Sequence, residues 1–222
     1  MATHAHPRTP ALRQTRGVET RATILEAAER IFAEAGPAGA RTEAIAVAAG
    51  VNKALLYYYF KSKNDLYLAV IEDQVKEFHR QAMDVLTAQG SPRSLLLRYV
   101  DLHFDFISAR RRFASLFQHM QMMMAGGKPA ERLVRKYVAP RAEALRELID
   151  RGVREGEFRA VDRDQMAFSI GALIVFYFSC QPILRILGHA DAYSDADLKR
   201  RKREVLDFIR YGLFREPEAP LS

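Results

Sequence analysis

The residues best suited to chemistry are concentrated between Thr42 and Lys63. Lys53, Tyr57, Tyr58 and Tyr59 fall within one short stretch. Phenol hydroxyls donate to phosphate oxygens, and their rings press on sugars and thymine methyls. Lys63 stands where a following helix should start, so its ammonium and that helix's free N–H groups suit a phosphate. Thr42 offers a hydroxyl and a backbone N–H at the start of the preceding helix. This is the chemistry of holding a polyanion rather than of turnover. The chain has no Gly-rich phosphate loop, no HExxH and no GxSxG. His103 and Asp105 are two residues apart, on different faces of a helix. His189 and Asp191 could pair in a loop, but nothing nearby supplies a nucleophile or a third ligand. The single cysteine, Cys180, excludes an intramolecular disulfide and a cysteine zinc cluster. It reads as a small buried hydrophobe rather than a reactive thiol. No catalytic residue, metal or cofactor is expected. A helical enzyme with a dispersed site and a DNA-binding protein without an effector are the alternative classes.

These side chains must be positioned by helices. Strand alternation and hairpin signals are absent, and apolar residues recur at helical spacing. Ile24, Ala27, Ala28, Ile31 and Phe32 form one stripe, closed by Gly36, Pro37 and Gly39. A short helix over about Thr42–Ala49 is broken by Gly50, and Asn52 caps a third helix through Phe60. Two short helices around a tight Gly-containing turn are the helix-turn-helix arrangement. Its second helix must stand out from the body to enter a major groove about 12 Å wide. Each helical step turns about 100°, so Tyr57, Tyr58 and Tyr59 cannot all face inward. Ile24, Ile31, Phe32, Ile45, Leu56 and Phe60 are the expected core. Ser62, with Asp65 three residues on, opens a fourth helix to about Ala88. Further helices are expected near Ser91–Arg110, Arg112–Ala125, Pro129–Glu155, Arg163–Leu187 and Asp195–Leu213. The fold class is all-α. The expected organisation is a flexible basic arm (1–16), a DNA-binding domain (17–62), a larger helical domain (63–214) and a tail (215–222).

The run from Thr20 to Gly36, and the run from Ile45 through Gly50-Val51-Asn52, Leu56-Tyr57, Phe60 and Lys63 to Leu66, resemble the tetracycline-repressor (TetR/AcrR) family. The resemblance covers about residues 17–70. It implies a symmetric dimer that presents two recognition helices to successive major grooves of a near-palindromic operator. It also implies an effector cavity in the C-terminal domain. Thr42, Lys53, Tyr57, Tyr59 and Lys63 match positions that touch DNA in such proteins. Asn52 stands where Ser or Thr is common. Ala54 and Leu55 stand where many relatives carry Gly-Thr, which leaves few direct base readers. The DNA-binding set expected is therefore Thr42, Asn52, Lys53, Ala54, Leu55, Tyr57, Tyr58, Tyr59 and Lys63.

In the C-terminal half, the segment Ala167–Cys180 is apolar nearly all round, and a helix of that kind must be covered on both sides. Either it is a core helix of a monomer, or one side meets a second copy. Ser169, Gly171 and Ala172 would permit close approach. With the stripe of the last helix, a four-helix dimer interface is expected from Ile170, Leu173, Ile174, Tyr177, Val205, Ile209 and Leu213. The middle segments are rich in methionine and aromatic residues, which suit either ordinary core or a loosely specific apolar ligand. The expected effector contacts are Tyr99, His103, Phe106, Phe117, Met120, Gln121, Met124 and Phe176.

The 222 residues, 49% of them hydrophobic, suffice for a reader domain and a larger one. The net charge of +7 fits a polyanionic partner without proving one. The run Lys199–Arg203 reads as a solvated helix face rather than a nucleic-acid patch. Arg8, Arg13 and Arg16 suit either a minor-groove arm or a plain tail. The N-terminus lacks the apolar core of a signal peptide, and no apolar run reaches the length of a membrane span. The expected partners are double-stranded operator DNA, a second copy and a small effector, with no membrane, in the cytoplasm.

Overall fold

The computed structural model describes residues 10–110, 116, 128–188 and 193–215. Among them every regular element is a helix, and one isolated β-bridge joins Phe158 to Phe214. The chain divides into two compact units, residues 1–71 and 72–222.

The first unit holds α1 (Pro10–Gly39), α2 (Thr42–Ala48), α3 (Lys53–Tyr59) and the opening turns of α4 (Lys63–Leu86). Because α1 begins at Pro10, the second half of the expected flexible arm is helical; Arg8 lies outside the described residues. Gly36, at φ 68°, kinks α1 before Pro37. Ile24, Ala28 and Phe32 from α1, Ile45 and Ala46 from α2, and Leu56 from α3 are buried together with Phe60. Ile31 is only half-buried, on the edge of that stripe. Leu66, Tyr67 and Val70 of α4 are buried too, and the Tyr67 ring meets Phe32 edge-on at 5.1 Å. That contribution explains why the unit extends past Ser62 to Ile71.

The α2–α3 turn follows from its sequence. Gly50 adopts φ 66°, a left-handed conformation in which an L side chain would be strained. The Val51 N–H then donates to Ala46 O at 3.0 Å and the Gly50 N–H to Val47 O at 3.1 Å, closing the end of α2. Asn52 Oδ1 accepts from the Leu55 N–H at 2.7 Å and so starts α3. Ser62 and Asp65 cap α4 reciprocally: the Asp65 N–H donates to Ser62 Oγ at 3.0 Å, and that hydroxyl donates to Asp65 Oδ2 at 2.8 Å.

The second unit is built around α5 (Pro92–Ala109), which packs against α7 (Ala139–Arg154), α8 (Arg163–Ser179) and α10 (Asp195–Leu213). Its buried side chains run from Leu95 and Leu96 through Tyr99, Val100 and His103 to Ile107. A short α6 (Lys128–Leu133) joins α7 through a π turn at Val134–Val138, in place of one uniform helix. The segment expected as one helix over Arg163–Leu187 is interrupted at Cys180, and α9 (Gln181–Ile186) follows. The helix expected over Arg112–Ala125 lies almost wholly outside the described residues. Near the C-terminus, Phe214 stacks on Phe158 with centroids 5.3 Å apart. Phe158 in turn lies so close to Gly152 of α7 that a Cβ there would come within 2.2 Å of its ring. Among the described residues no helix is long and apolar enough to cross a membrane.

Candidate nucleic-acid interface

The outer face of α3 is open. Lys53, Ala54 and Tyr58 are exposed, Tyr58 at 80%, and Tyr57 keeps 39% of its surface. Leu55 and Tyr59 are half-buried. The Tyr58 and Tyr59 rings meet edge-on at 5.3 Å, and the Tyr59 hydroxyl lies beside Gly17 of α1. Leu56 alone within α3 is fully buried and anchors it. The helix therefore presents cationic and phenolic groups outward while one leucine and Phe60 hold it down.

Three of the expected contacts have work within the protein. Asn52 caps α3. Thr42 is buried rather than exposed: its hydroxyl lies 3.2 Å from the Tyr57 hydroxyl and donates to Glu43 Oε2 at 3.4 Å. Lys63 Nζ donates to Ala38 O at 3.2 Å and Ala40 O at 3.1 Å, tying the start of α4 to the α1–α2 connection. Sequence reasoning missed Glu43, whose Oε1 accepts from Lys53 Nζ across the turn. That hydrogen bond from Lys53 lowers the Glu43 pKa, and the same bond raises that of Lys53. Their spacing of ten residues across the Gly50 turn was the available signal. Val47, 81% exposed on α2, also stands on the surface.

In the second unit, the described effector candidates cluster around Phe78 of α4. The His103 ring lies 4.4 Å from the Phe78 ring, Phe106 lies 4.9 Å away, and Tyr99 is 5.8 Å from His103. The Arg141 guanidinium sits over Phe78 at 4.6 Å, another residue no sequence signal marked. His103 is buried, and its Nδ1 has no hydrogen-bond partner. Burial, followed by the Arg141 charge, pushes its pKa down to about 3, so the imidazole is neutral near pH 7. Phe117, Met120, Gln121 and Met124 lie outside the described residues. Phe176, by contrast, is 68% exposed on α8.

The residues expected for dimerisation divide by burial within the chain. Ile170, Ile174, Val205, Ile209 and Leu213 are buried within the chain itself. Leu173 and Tyr177 are half-exposed. An aliphatic stripe goes to the nearest core, and the aromatic residues of the same helices remain outside. Phe168 and Phe176 on α8, with Phe208 and Tyr211 on α10, form the outward face. A groove of about 890 Å³ runs between them, lined by Ser169, Ala172, Phe176, Arg200, Glu204 and Phe208 among others. No side chain obstructs Gly171 or Gly212 beside it. The basic run is tied down nearby: Lys202 Nζ bonds both Asp105 oxygens at 2.9 Å, and Arg201 donates to Leu173 O at 3.0 Å. Among the described residues no group of three His, Cys, Asp or Glu side chains could hold a metal ion.

Comparison with known proteins agrees with this division. Residues 24–70 match the model of the bacterial regulatory proteins of the tetR family, and residues 92–209 match a tetracyclin repressor-like C-terminal domain. The HTH-type transcriptional regulator RutR of Escherichia coli K12 is 30% identical over 199 residues, 84% of this chain and 89% of its own. The HTH-type transcriptional repressor NicS of Pseudomonas putida is 27% identical over 191 residues, 86% of this chain and 88% of its own. A crystal structure of a putative transcriptional regulator from Saccharomonospora viridis in complex with choline superposes with a TM-score of 0.73 at 24% identity. It covers 90% of this chain and all of that one, a likeness of fold alone.

Proposed function

This chain belongs to the TetR family of bacterial DNA-binding regulators, and we propose that it is a ligand-responsive repressor that binds a near-palindromic operator as a homodimer and is released by a small hydrophobic effector. The observation that carries the DNA reading is the open face of α3, with Lys53, Tyr57 and Tyr58 outward beyond a Gly50-closed turn. In a two-fold dimer two such helices meet successive major grooves, about 34 Å apart. Tyr57 and Tyr58 reach phosphates and base-edge methyls, Lys53 a phosphate or base edge, and Lys63 spends its remaining N–H on the backbone. Ala54 and Leu55 contribute apolar contact.

The dimer rests on the outward aromatic face of α8 and α10. An exposed apolar patch of this kind marks a protein interface. Effector binding takes place around Tyr99, His103 and Phe106, where the unpaired His103 Nδ1 supports a polar contact with the ligand. The helix α4 belongs to both halves of the mechanism. It carries Tyr67 in the core of the reader unit and Phe78 against His103. Ligand that favours one setting of this helix shifts the population of reader spacings, with coupling of about 1–3 kcal/mol.

The test is fluorescence anisotropy with duplexes drawn from the promoters beside its gene, across a salt titration. The expected result is tight binding to one duplex that weakens steeply as salt rises, because neutralised phosphates release counterions. Equal affinity for every duplex would sink the operator reading, and absence of binding would sink the whole proposal.

A further inference from the structure

We propose that the Glu43 carboxylate is a built-in stand-in for a DNA phosphate, occupying the groups that would hold the backbone and so acting as a brake on sequence-independent binding. The inference rests on the reading that the α2–α3 face meets DNA. Each carboxylate oxygen is engaged by a different group: Oε1 accepts from Lys53 Nζ, and Oε2 accepts from the Thr42 hydroxyl at 3.4 Å. That hydroxyl is also 3.2 Å from the Tyr57 hydroxyl, and the Lys53 ammonium lies 5.9 Å from the Tyr57 ring centroid. Two anionic oxygens held by an ammonium and a hydroxyl reproduce the contacts a phosphodiester would make there.

The pair is not explained by folding. Its side chains are 53% and 60% exposed, and solvent-exposed ion pairs contribute little to stability. A carboxylate on a surface that faces a polyanion also carries an electrostatic cost on approach. What it does is keep Lys53 and Thr42 occupied until a phosphate displaces it. Every encounter with duplex DNA must therefore exchange one anion for another at this point, whatever the sequence. The counterion release that Lys53 would otherwise contribute is withheld in proportion.

The test uses the full chain, a random-sequence duplex of about three helical turns, and the variants Glu43→Gln, Lys53→Met and the double variant. Both positions are exposed, so thermal melting should show the fold retained. Glu43→Gln keeps the shape and the hydrogen bond to Thr42 while removing the charge. It should bind the random duplex several-fold more tightly and steepen the plot of log affinity against log salt by up to about 0.9, one phosphate's worth. Most of that gain should vanish when Lys53 is methionine. Unchanged affinity and slope in Glu43→Gln would overturn the inference. So would a gain that persists undiminished in the double variant, which would show plain repulsion instead of competition for Lys53. A wild-type chain that binds no duplex at all would overturn the DNA reading together with this one, which separates the two failures.

Discussion

The reader unit and the α8–α10 face both present aromatic side chains to solvent, by opposite routes. In α3, Tyr57 and Tyr58 stand out because one leucine suffices to anchor a two-turn helix and the turn before it fixes its direction. In α8, Phe168 and Phe176 stand out because the core had already taken Ile170, Ile174 and Phe178 from the other side. The first arrangement is set by rules that act within a few residues. The second is set by what the rest of the fold leaves uncovered. A local rule can be read from a short motif; a leftover can be read only after everything else is packed.

The sharpest way to break this contrast is to place a charge on each side of α8. Ile174→Asp should abolish cooperative folding, since an unpaired buried carboxylate costs several kcal/mol. Phe176→Asp with Phe208→Asp should leave helix content by circular dichroism unchanged, shift size-exclusion elution to that of a single protomer, and abolish operator binding. If the inward and outward variants behaved alike, the assignment of faces would be wrong.

A smaller effect comes from His103, a buried titratable group with no counterpart in α3. Its folded pKa of about 3 lies below its ordinary 6.5, so the unfolded chain binds its proton first. Stability should be unaffected above pH 6.5 and fall as pH drops from 6.5 toward 3, by about 1.4 kcal/mol per pH unit at most. Chemical denaturation at pH 6.5, 5.5 and 4.5 measures this slope, and His103→Phe should flatten it. An equal slope in the variant would assign the pH dependence to other groups.

The smallest expected effect tests the local rule. Gly50→Ala meets no neighbouring atom, so its cost is backbone strain alone, about 1–2 kcal/mol. The melting temperature should drop modestly, while affinity for the operator drops further as α3 is re-aimed. Wild-type affinity in this variant would detach the turn from DNA reading.

This division also explains what the sequence disclosed. The Gly50 turn, the Asn52 cap, the Ser62–Asp65 cap and the boundaries of α10 were legible because each rests on residues a few positions apart. The division into a reader and a larger helical region was legible for the same reason, through the Ile45–Leu66 run. The choice of faces on α8 was not, because a helix apolar on every side has no phase to read. The exposure of Phe176 could not be read for that reason. Thr42 looked free because its partner Tyr57 comes from the next helix. Glu43 went unnoticed because a charge in a first helical turn has an ordinary explanation in the helix dipole.

The π turn at Val134–Val138 gives the second unit an offset in angular phase. A turn of that width takes up one residue more than an α-turn, so the faces of α6 and α7 do not continue one another and differ by about 100°. Tyr137, whose hydroxyl donates to Glu72 at 3.0 Å, sits inside the widened turn, and Arg141 over Phe78 follows it. A surplus residue in the backbone thus sets the bearing of a cation beside the aromatic cluster, and any heptad count carried straight through this stretch would point to the wrong side of the helix.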